Sequence, residues 1–387
     1  MSKPRVLLVS NGNGEAAIAQ RLAVALHEAI PELALDHLPL VGEPQSTADV
    51  RVVGPRAALP SGGLIAMFNL RNIVDDIGGG LVGLTIRQLG FLNKARGNYD
   101  LVVAVGDIFA LIMALRTRAR TIFVGTAKSV SVARYGAMEL RAMRKAAYVF
   151  VRDRATADDC RARGVEAVEA GNAIVDLHDR DTVVDLHLAG DDELVLLLPG
   201  SRAGAYQEAS VLCAAFAAAR ARGARIVGAL SVAPRLDARR FVDRLAADGW
   251  IYDERGGTEG RAQLVRGDAR VLLWSGGVGA LLAHAALVLG QAGTANEAAA
   301  AAGIAVAAID DGRTRAERWY RMRQRALLGE AMTMLPSDPE RAGERLATLI
   351  ADRALRARMG EIGRERMGEP GATRRIAERA AACLNAH

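Results

Sequence analysis

Short apolar runs of strand length alternate along this chain with glycine-containing turns and with apolar residues at helical spacing. The first such unit runs from Val6 to Ser10, turns at residues 11–15, and continues with Ile18, Leu22 and Leu26 on one helical face. Because alternating strands and helices build a parallel sheet, the repetition of this unit predicts an α/β protein. The runs predicted as strands are 6–10, 33–40, 100–105, 121–125, 148–151, 165–170, 194–198, 225–230, 271–275 and the two that flank the turn within 287–310.

The alternation stops at the polar, charge-rich segment 179–192 and then restarts. A chain of 387 residues also exceeds the size at which a single hydrophobic core stops growing. We therefore expect two Rossmann-like domains, residues 1–182 and 183–387, facing a central cleft. The last helix, which begins near Gly371, is a candidate to pack back on the first domain.

Residues 61–92 depart from this pattern, because they are apolar, rich in glycine and poor in charge. Two interpretations are open. The segment is either an excursion packed on the first domain or a surface that binds acyl chains or a membrane.

Polar side chains follow the predicted strands of the first domain, at the sheet edge where open α/β sheets bind ligands. Asp107 comes just after the strand 100–105, and Glu15 lies in the turn after the first strand. Either carboxylate is a candidate general base, although a strand-end aspartate is also a common helix N-cap. The other acceptor-side candidates are Asn11, Gly12, Asn13, Gly14 and Asn172.

The same first turn reads G-x-G-x-x-A from Gly12 to Ala17, and Asp36 follows at about the 20-residue spacing of a dinucleotide-binding fold. Two features argue against this alternative. Asp36 lies within an apolar run rather than clearly at its end, and Glu15 would bring a carboxylate next to a pyrophosphate.

The segment 287–310 reads as strand, glycine-rich turn, short helix and strand. Gly290 and Gly293 would let a ligand approach the backbone, and Thr294 would cap a helix whose N–H groups face an anion. Glu297 has capping-box spacing from Thr294, but a carboxylate at this turn could also hold a ribose diol.

A second turn, Gly200-Ser201-Arg202, offers N–H donors, a hydroxyl and a guanidinium to a diphosphate without the lysine of a P-loop. The residues predicted to bind a nucleotide sugar are Gly200, Ser201, Arg202, Ser231, Gly276, Gly277, Gln291, Gly293, Thr294 and Glu297.

The composition of the chain limits the classes of binding partner. A net charge of +6 and a pI near 9.5 favour anionic ligands or an anionic membrane surface, whereas 4% aromatic residues and scattered arginines argue against nucleic acid. Three dispersed cysteines predict neither a disulfide framework nor a zinc site, which fits a reducing cytoplasm. The N-terminus reads neither as a signal peptide nor as a membrane span.

An arginine-rich stretch follows residue 310 and is expected to be helical. Arg313, Arg318, Arg321 and Arg325 could bind a diphosphate or an anionic membrane. A charge-rich helix is more often a solvated face, so both interpretations stay open.

Seven segments appear in the order and spacing of the lipid-A-disaccharide-synthase-related proteins, which this chain resembles over nearly its whole length. They are SNGNGEAAIAQRL, LVVAVGD, GNAIVDL, LLLPGSR, QAGTANEAAAAAGIAVAAID, RQRALLGE and GATRRIA. The resemblance implies a GT-B fold, with the acceptor in the first domain and a UDP-sugar in the second. It also implies inverting glycosyl transfer without a metal or other cofactor, at the cytoplasmic face of the membrane.

By position, the resemblance assigns Asp107 to acceptor activation and matches Glu15 to the glutamate of the first glycine turn. It assigns Ser201 and Arg202 to the diphosphate, and Gly293, Thr294 and Glu297 to the nucleotide sugar. Asn13 stands where relatives tend to have histidine, and Ala16 where an acidic residue is usual. These departures leave the acceptor open.

The implied partners are a UDP-sugar, a lipid or amphipathic acceptor and an anionic membrane surface, and a homodimer is compatible with the pattern. The competing functions are a UDP-sugar 2-epimerase of the same fold, a non-catalytic scaffold and a dinucleotide-dependent oxidoreductase.

Overall fold

The computed structural model describes residues 3–42, 47, 49–56, 81–177, 184, 186, 188, 190–202, 204–234, 236–255, 262–310, 312 and 315–385. The chain divides into two compact units: unit 1 is Met1–Leu177 with Glu369–His387, and unit 2 is His178–Gly368. The expected domain boundary between residues 182 and 183 falls outside the described residues.

Unit 1 is built on a seven-stranded parallel sheet with the order β3-β2-β1-β4-β5-β6-β7. Its strands are β1 (Arg5–Asn11), β2 (Ala34–Val41), β3 (Arg51–Val52), β4 (Leu101–Gly106), β5 (Arg120–Gly125), β6 (Tyr148–Val151) and β7 (Ala167–Glu169). Its helices are α1 (Asn13–Ala29), α2 (Leu81–Lys94), α3 (Ile108–Ala114), α4 (Ala137–Met143), α5 (Arg154–Ala162) and, at the C-terminus, α13 (Ala372–Asn385). Both sheet faces are covered, as the continuous apolar strands require: Val6 and Leu8 belong to one core cluster, and Leu7 and Val9 to another.

The C-terminal helix α13 is held in unit 1 by the Asp176 carboxylate. Asp176 Oδ1 accepts a hydrogen bond from the Gly371 N–H at 2.6 Å, and Oδ2 accepts from the N–H and the hydroxyl of Thr373 at 2.7 and 2.8 Å. The Arg375 Nε–H donates to the Ala170 carbonyl at 2.8 Å. The segment GATRRIA therefore has a structural role, because its backbone and side chains anchor the last helix.

Unit 2 is built on an eight-stranded sheet with the order β10-β11-β12-β9-β8-β13-β14-β15, parallel except at β10 and β11. Its strands are β8 (Glu193–Leu198), β9 (Ile226–Ser231), β10 (Ile251–Asp253), β11 (Gln263–Arg266), β12 (Ala269–Trp274), β13 (Ala285–Gly290), β14 (Val306–Asp310) and β15 (Met332–Pro336). Its helices are α6 (Ala205–Ala221), α7 (Ala238–Ala246), α8 (Val278–Leu282), α9 (Thr294–Ala301), α10 (Arg315–Leu328), α11 (Pro339–Ala351) and α12 (Arg353–Met367).

The predicted α/β class is confirmed, and the predicted strands lie within two residues of the observed ones. The strands β3, β10, β11 and β15 have no predicted counterpart. They lie toward the sheet edges and are short or partly exposed, so the buried apolar run on which the prediction depends is weak there.

Part of the apolar segment 61–92 can be placed. Residues 81–92 form most of α2, which buries Leu84 and Leu92, and the Gln88 side-chain amide donates to the Leu40 carbonyl at 2.8 Å. Residues 61–80 lie outside the described residues. Among those described, no helix combines the length and apolar character needed to cross a membrane.

Candidate substrate sites

The acceptor-side candidates of unit 1 converge at the carboxyl ends of two neighbouring strands. β1 ends at Asn11, and β4 ends at Gly106, one residue before Asp107. β1 and β4 pair in register, so these ends lie side by side, and the Asn11 Nδ2–H donates to Asp107 Oδ2 at 2.9 Å. The structure therefore joins two predicted site residues that are 96 positions apart.

Asp107 caps helix α3. Its Oδ1 accepts hydrogen bonds from the N–H groups of Phe109 and Ala110, each at 3.1 Å. Burial raises the pKa of Asp107, and the bonds from Ala110, Asn11 and Phe109 oppose that rise. Asp107 therefore acts as an N-cap through Oδ1. Its other oxygen, Oδ2, accepts the hydrogen bond from Asn11 and is the oxygen suited to accept a proton.

Glu15 lies next to this aspartate. It belongs to the first turn of α1, and its side chain packs over Gly106, where an added Cβ would lie 2.7 Å from Glu15 Cγ. Gly106 also has φ of 125°, which a residue with a side chain rarely adopts. The glycine before Asp107 thus makes room for the second carboxylate, and the two candidate bases are neighbours.

The other acceptor-side candidates have different roles. Gly12 precedes α1 with φ of 120°, and Asn13 and Gly14 form the first turn of that helix, where both are half-buried. Asn172 is buried, and its side-chain oxygen accepts from the Ile174 N–H at 3.3 Å. Asn172 therefore shapes the turn after β7.

The competing dinucleotide assignment fails at Asp36. This residue lies near the start of β2, away from the ligand edge, and its carboxylate is buried. Arg51 binds it through two hydrogen bonds of 2.9 Å, and the Tyr99 hydroxyl donates to it at 2.7 Å. A carboxylate with these partners is not placed to bind a ribose.

In unit 2, the two predicted donor turns lie side by side at the ends of β8 and β13. The N–H groups of Gln291 and Ala292 both donate to the Leu198 carbonyl, at 2.8 and 3.2 Å. Leu198 is the last residue of β8, and the turn Gly200-Ser201-Arg202 follows it. The side chains of Ser201 and Arg202 are exposed, and Gly200 has φ of 104°.

The capping-box prediction for Thr294 and Glu297 is wrong. Helix α9 has Gly293 as its N-cap, without a side-chain cap, so Thr294 is the first helical residue. The N–H of Glu297 donates to the Gly293 carbonyl at 3.2 Å. Since Glu297 is one position beyond the capping-box site, its half-buried carboxylate is not explained by that motif.

The donor turn is held by a cluster of side-chain amides. Asn296 Nδ2–H donates to the Gly290 carbonyl at 3.0 Å and to Gln324 Oε1 at 3.3 Å. Gln324 Nε2–H donates to the carbonyls of Ala292 and Gly293 at 3.1 and 2.9 Å. The carbonyls of this turn are therefore occupied from the protein side.

The glycines of the donor turn also lie against protein side chains, which is a second reason for glycine at these positions. A Cβ at Gly293 would collide with the Tyr320 hydroxyl, and one at Gly290 would collide with Asn296 Oδ1. Gln291 turns inward as well, because its Nε2–H donates to the Ile309 carbonyl at 3.0 Å. Gly290, Gly293 and Gln291 therefore contribute to the shape of the turn.

Three further candidates lie at the ends of β9 and β12. Ser231 is buried at the end of β9 and is paired in register with Trp274. The Trp274 Nε1–H donates to the Gly277 carbonyl at 3.0 Å, and a Cβ at Gly276 would lie 2.8 Å from the indole ring. Gly276 and Gly277 remain exposed to solvent, so their backbone can be reached.

The arginines after residue 310 have different surroundings. Arg321 is buried and lies 3.7 Å from the Glu208 carboxylate of α6. Arg318 packs against Gly312, Arg325 is exposed, and Arg313 lies outside the described residues.

Sequence reasoning missed Asn296, Tyr320 and Gln324. Asn296 carries a weak signal, because it is a buried polar residue in the alanine-rich helix α9. Tyr320 and Gln324 carry none, since their contacts join positions about 30 residues apart within an arginine-rich stretch.

No known protein family matches the sequence, and no curated protein does. Solved structures match the chain throughout. A putative UDP-N-acetylglucosamine 2-epimerase from Listeria monocytogenes superimposes with a TM-score of 0.60 at 14% identity, covering 100% of this chain and 98% of that one. The calicheamicin glycosyltransferase CalG4 has a TM-score of 0.58 at 15% identity, with 100% and 99% covered. The S. aureus MnaA–UDP complex has a TM-score of 0.56 at 12% identity, with 99% and 97% covered. At these identities the likeness establishes the fold, and the chain has the two-domain GT-B fold that the resemblance implied.

Proposed function

We propose that this chain is an inverting, metal-independent glycosyltransferase that moves a sugar from a UDP-sugar to a lipid or amphipathic acceptor. The observation that carries the proposal is the joining of the two turns in unit 2 through the Leu198 carbonyl. It brings an exposed serine and arginine close to the first turn of α9, which is a suitable arrangement for a diphosphate.

The donor would bind to unit 2. Ser201, Arg202 and the N-terminal N–H groups of α9 would hold the diphosphate and stabilise the negative charge that develops as the leaving group departs. Glu297 would accept hydrogen bonds from the ribose diol. The amide cluster around Gln324 would keep the turn in shape, because it binds the carbonyls of Ala292 and Gly293.

Acceptor activation is assigned to unit 1. Asp107 Oδ2 would take the proton from the acceptor hydroxyl as its oxygen forms a bond to C1 of the sugar. The bond between C1 and the phosphate oxygen breaks at the same time, its electron pair leaves with UDP, and the configuration at C1 inverts. The raised pKa of Asp107 suits this task, since a stronger base removes a hydroxyl proton more readily.

Calorimetric titration with UDP, GDP, NAD and NADP in a buffer containing a chelator tests the donor assignment. We expect micromolar binding of UDP without metal. Binding of NAD or NADP alone would overturn the transferase assignment, and the absence of any nucleotide binding would favour a scaffold.

A UDP-sugar 2-epimerase is a second candidate, favoured by the structural similarity to such enzymes and by the neighbouring carboxylates Asp107 and Glu15. An epimerase must break and remake the C2–H bond of the donor. Incubation with UDP-sugars alone in heavy water would then give the epimer and deuterium at C2, whereas the transferase would give neither.

The lipid character of the acceptor and a location at the inner membrane surface belong to the same proposal. They are supported by the net charge of +6, which favours an anionic surface.

A further inference from the structure

The inner side of helix α10 is polar where it meets the donor turn. Among the described side chains of α10, the buried ones are Arg321, Gln324 and Leu328, and their spacing puts them on one side of the helix. Gln324 binds the carbonyls of Ala292 and Gly293. Arg321 lies one turn before Gln324, and the amide cluster does not explain why an arginine is buried there.

Arg321 faces a buried carboxylate on another helix. Its Nη2 atom lies 3.7 Å from Glu208 Oε2, and the two side chains are only 9% and 12% exposed. Glu208 belongs to the first turn of α6, which begins at Ala205, shortly after the turn Gly200-Ser201-Arg202. The ion pair therefore connects the helix that follows one donor turn with the helix that holds the other.

Stability alone does not explain this pair. An acid in the first turn of a helix complements the helix dipole, so a carboxylate at Glu208 is ordinary. Its burial with a cation is not, because the loss of hydration of two charges offsets most of their attraction, and apolar side chains of similar size would pack as stably. Most other inward positions of α6 are apolar, among them Ala209, Leu212 and Phe216.

The place of the pair matters for an anionic ligand. Glu208 is the fourth residue of α6, so it lies about 5 Å along the helix axis from the first. A carboxylate at that position repels a diphosphate held at the turn 200–202, and it competes with the diphosphate for the positive end of the helix dipole. The guanidinium of Arg321 offsets this negative charge.

We propose that Arg321 is a positioning residue of the donor site, which prepares the site for a diphosphate by neutralising Glu208 and by holding α6 against α10. The inference rests on the proposed function, because it requires a nucleoside diphosphate at the two turns. In this role Arg321 acts through Glu208 and without contact to the ligand. Its effect should therefore depend on ligand charge, whereas a role in shape alone would weaken charged and neutral ligands equally.

The binding of UDP and of uridine, which has no phosphate, tests this in variants of the full chain. Calorimetry measures UDP, and ligand-observed NMR measures the weaker uridine. Arg321→Met removes the cation and keeps the carboxylate, so UDP affinity should fall by about tenfold while uridine affinity stays within about twofold. Arg321→Met/Glu208→Gln removes both charges and should recover most of the UDP affinity. Glu208→Gln alone leaves the guanidinium charge without this counter-charge and should raise UDP affinity severalfold.

Two controls separate charge from the loss of a buried arginine. Arg321→Lys keeps the charge and should bind UDP nearly as wild type does. The ion pair at the opposite edge of the same sheet joins Arg356 Nη2 to Glu193 Oε2 at 2.8 Å, and Glu193 begins β8, whose other end is Leu198. Arg356→Met should lower the unfolding temperature and leave UDP affinity unchanged.

Three results would each overturn the inference: equal losses for UDP and uridine in Arg321→Met, a double variant no better than Arg321→Met, or Glu208→Gln binding UDP no more tightly than wild type. If Arg321→Met does not fold, the other two variants decide, because Glu208→Gln should bind UDP more tightly than wild type and the double variant should not. Wild-type protein that binds no UDP would overturn the proposed function together with this inference. UDP binding by wild type with any of the three contrary results would overturn the inference alone.

Discussion

The sheet edges of the two units carry clusters of different kinds. In unit 1, Asn11 is hydrogen-bonded to the Asp107 carboxylate, and the Glu15 side chain packs over Gly106, the residue before Asp107. In unit 2, the turn 290–293 is held by neutral amides, and Gln324 comes from a helix about 30 residues further along the chain. The first cluster supplies groups that can exchange protons, and the second supplies a fixed shape. This contrast fits proton transfer in unit 1 and leaving-group binding in unit 2.

The largest expected effect tests whether proton transfer belongs to unit 1 and leaving-group binding to unit 2. Asp107→Asn keeps a side-chain oxygen that can cap α3 but removes the base, so turnover should fall by about 10² to 10⁴ while UDP affinity stays within about twofold. Steady-state kinetics and UDP titration on the same preparation measure both. Glu15→Gln serves as the comparison, and the stronger loss identifies the base.

If Asp107→Asn keeps wild-type turnover, the assignment of proton transfer to this aspartate is wrong. A parallel fall in UDP affinity would instead show that the two edges do not act separately.

The second prediction concerns the pH dependence of the free energy of unfolding. We expect this dependence to arise near the unit 1 edge and not at the amide-held edge of unit 2. His37 is buried in β2, its Nε2 lies 2.8 Å from Ser10 Oγ, and Ser10 directly precedes Asn11. Burial lowers the pKa of His37 to about 4, from an ordinary value of 6.5. The native state therefore keeps this ring neutral over a range in which the unfolded chain binds a proton. The stabilisation is complete above about pH 6.5 and is lost as pH falls toward 4, with a total of roughly 3 kcal/mol.

His37→Gln removes this titration and should flatten the pH dependence of the unfolding temperature between pH 7 and 4.5. Gln324→Leu, at the amide-held edge, should lower the temperature at both ends of that range by the same amount. Curves of equal slope for wild type and His37→Gln would contradict the role of the ring.

The sequence predicts the two edges unequally, and the reason is physical. Asp107, Glu15 and the strand ends are visible because each follows a buried apolar run, and parallel strands bring such ends to one edge. The donor turn is visible as a glycine-rich segment for the same reason. Tyr320 and Gln324 are invisible, since a residue that contacts the turn from another helix leaves no local pattern. The glycines are visible as candidates for ligand approach, whereas the Tyr320 and Asn296 side chains that also lie against them are not.

The third prediction concerns the close approach of Gly293 and Tyr320. Gly293→Ala places a methyl group against the Tyr320 hydroxyl, which should cost about 1 to 3 kcal/mol of stability and distort the donor turn. The double variant Gly293→Ala/Tyr320→Phe removes the hydroxyl and should recover most of the loss in unfolding temperature and in UDP affinity. A double variant no better than Gly293→Ala would show that the glycine serves the ligand after all.

The smallest expected effect decides what Glu297 does once the capping box is excluded. If its carboxylate holds the ribose diol, Glu297→Ala should weaken UDP binding by about tenfold, which is the order of one hydrogen-bonded contact to a charged group. Loss of affinity alone is ambiguous, because Glu297 belongs to the first turn of α9 and its removal could disturb that helix.

A deoxyribose analogue of the nucleotide separates the two explanations. Wild type should bind 2′,3′-dideoxy-UDP about tenfold more weakly than UDP, whereas Glu297→Ala should bind the two equally, since the partner of the diol is gone. If the variant still prefers UDP, the diol is bound elsewhere, and the donor turn of unit 2 contributes shape and N–H donors alone.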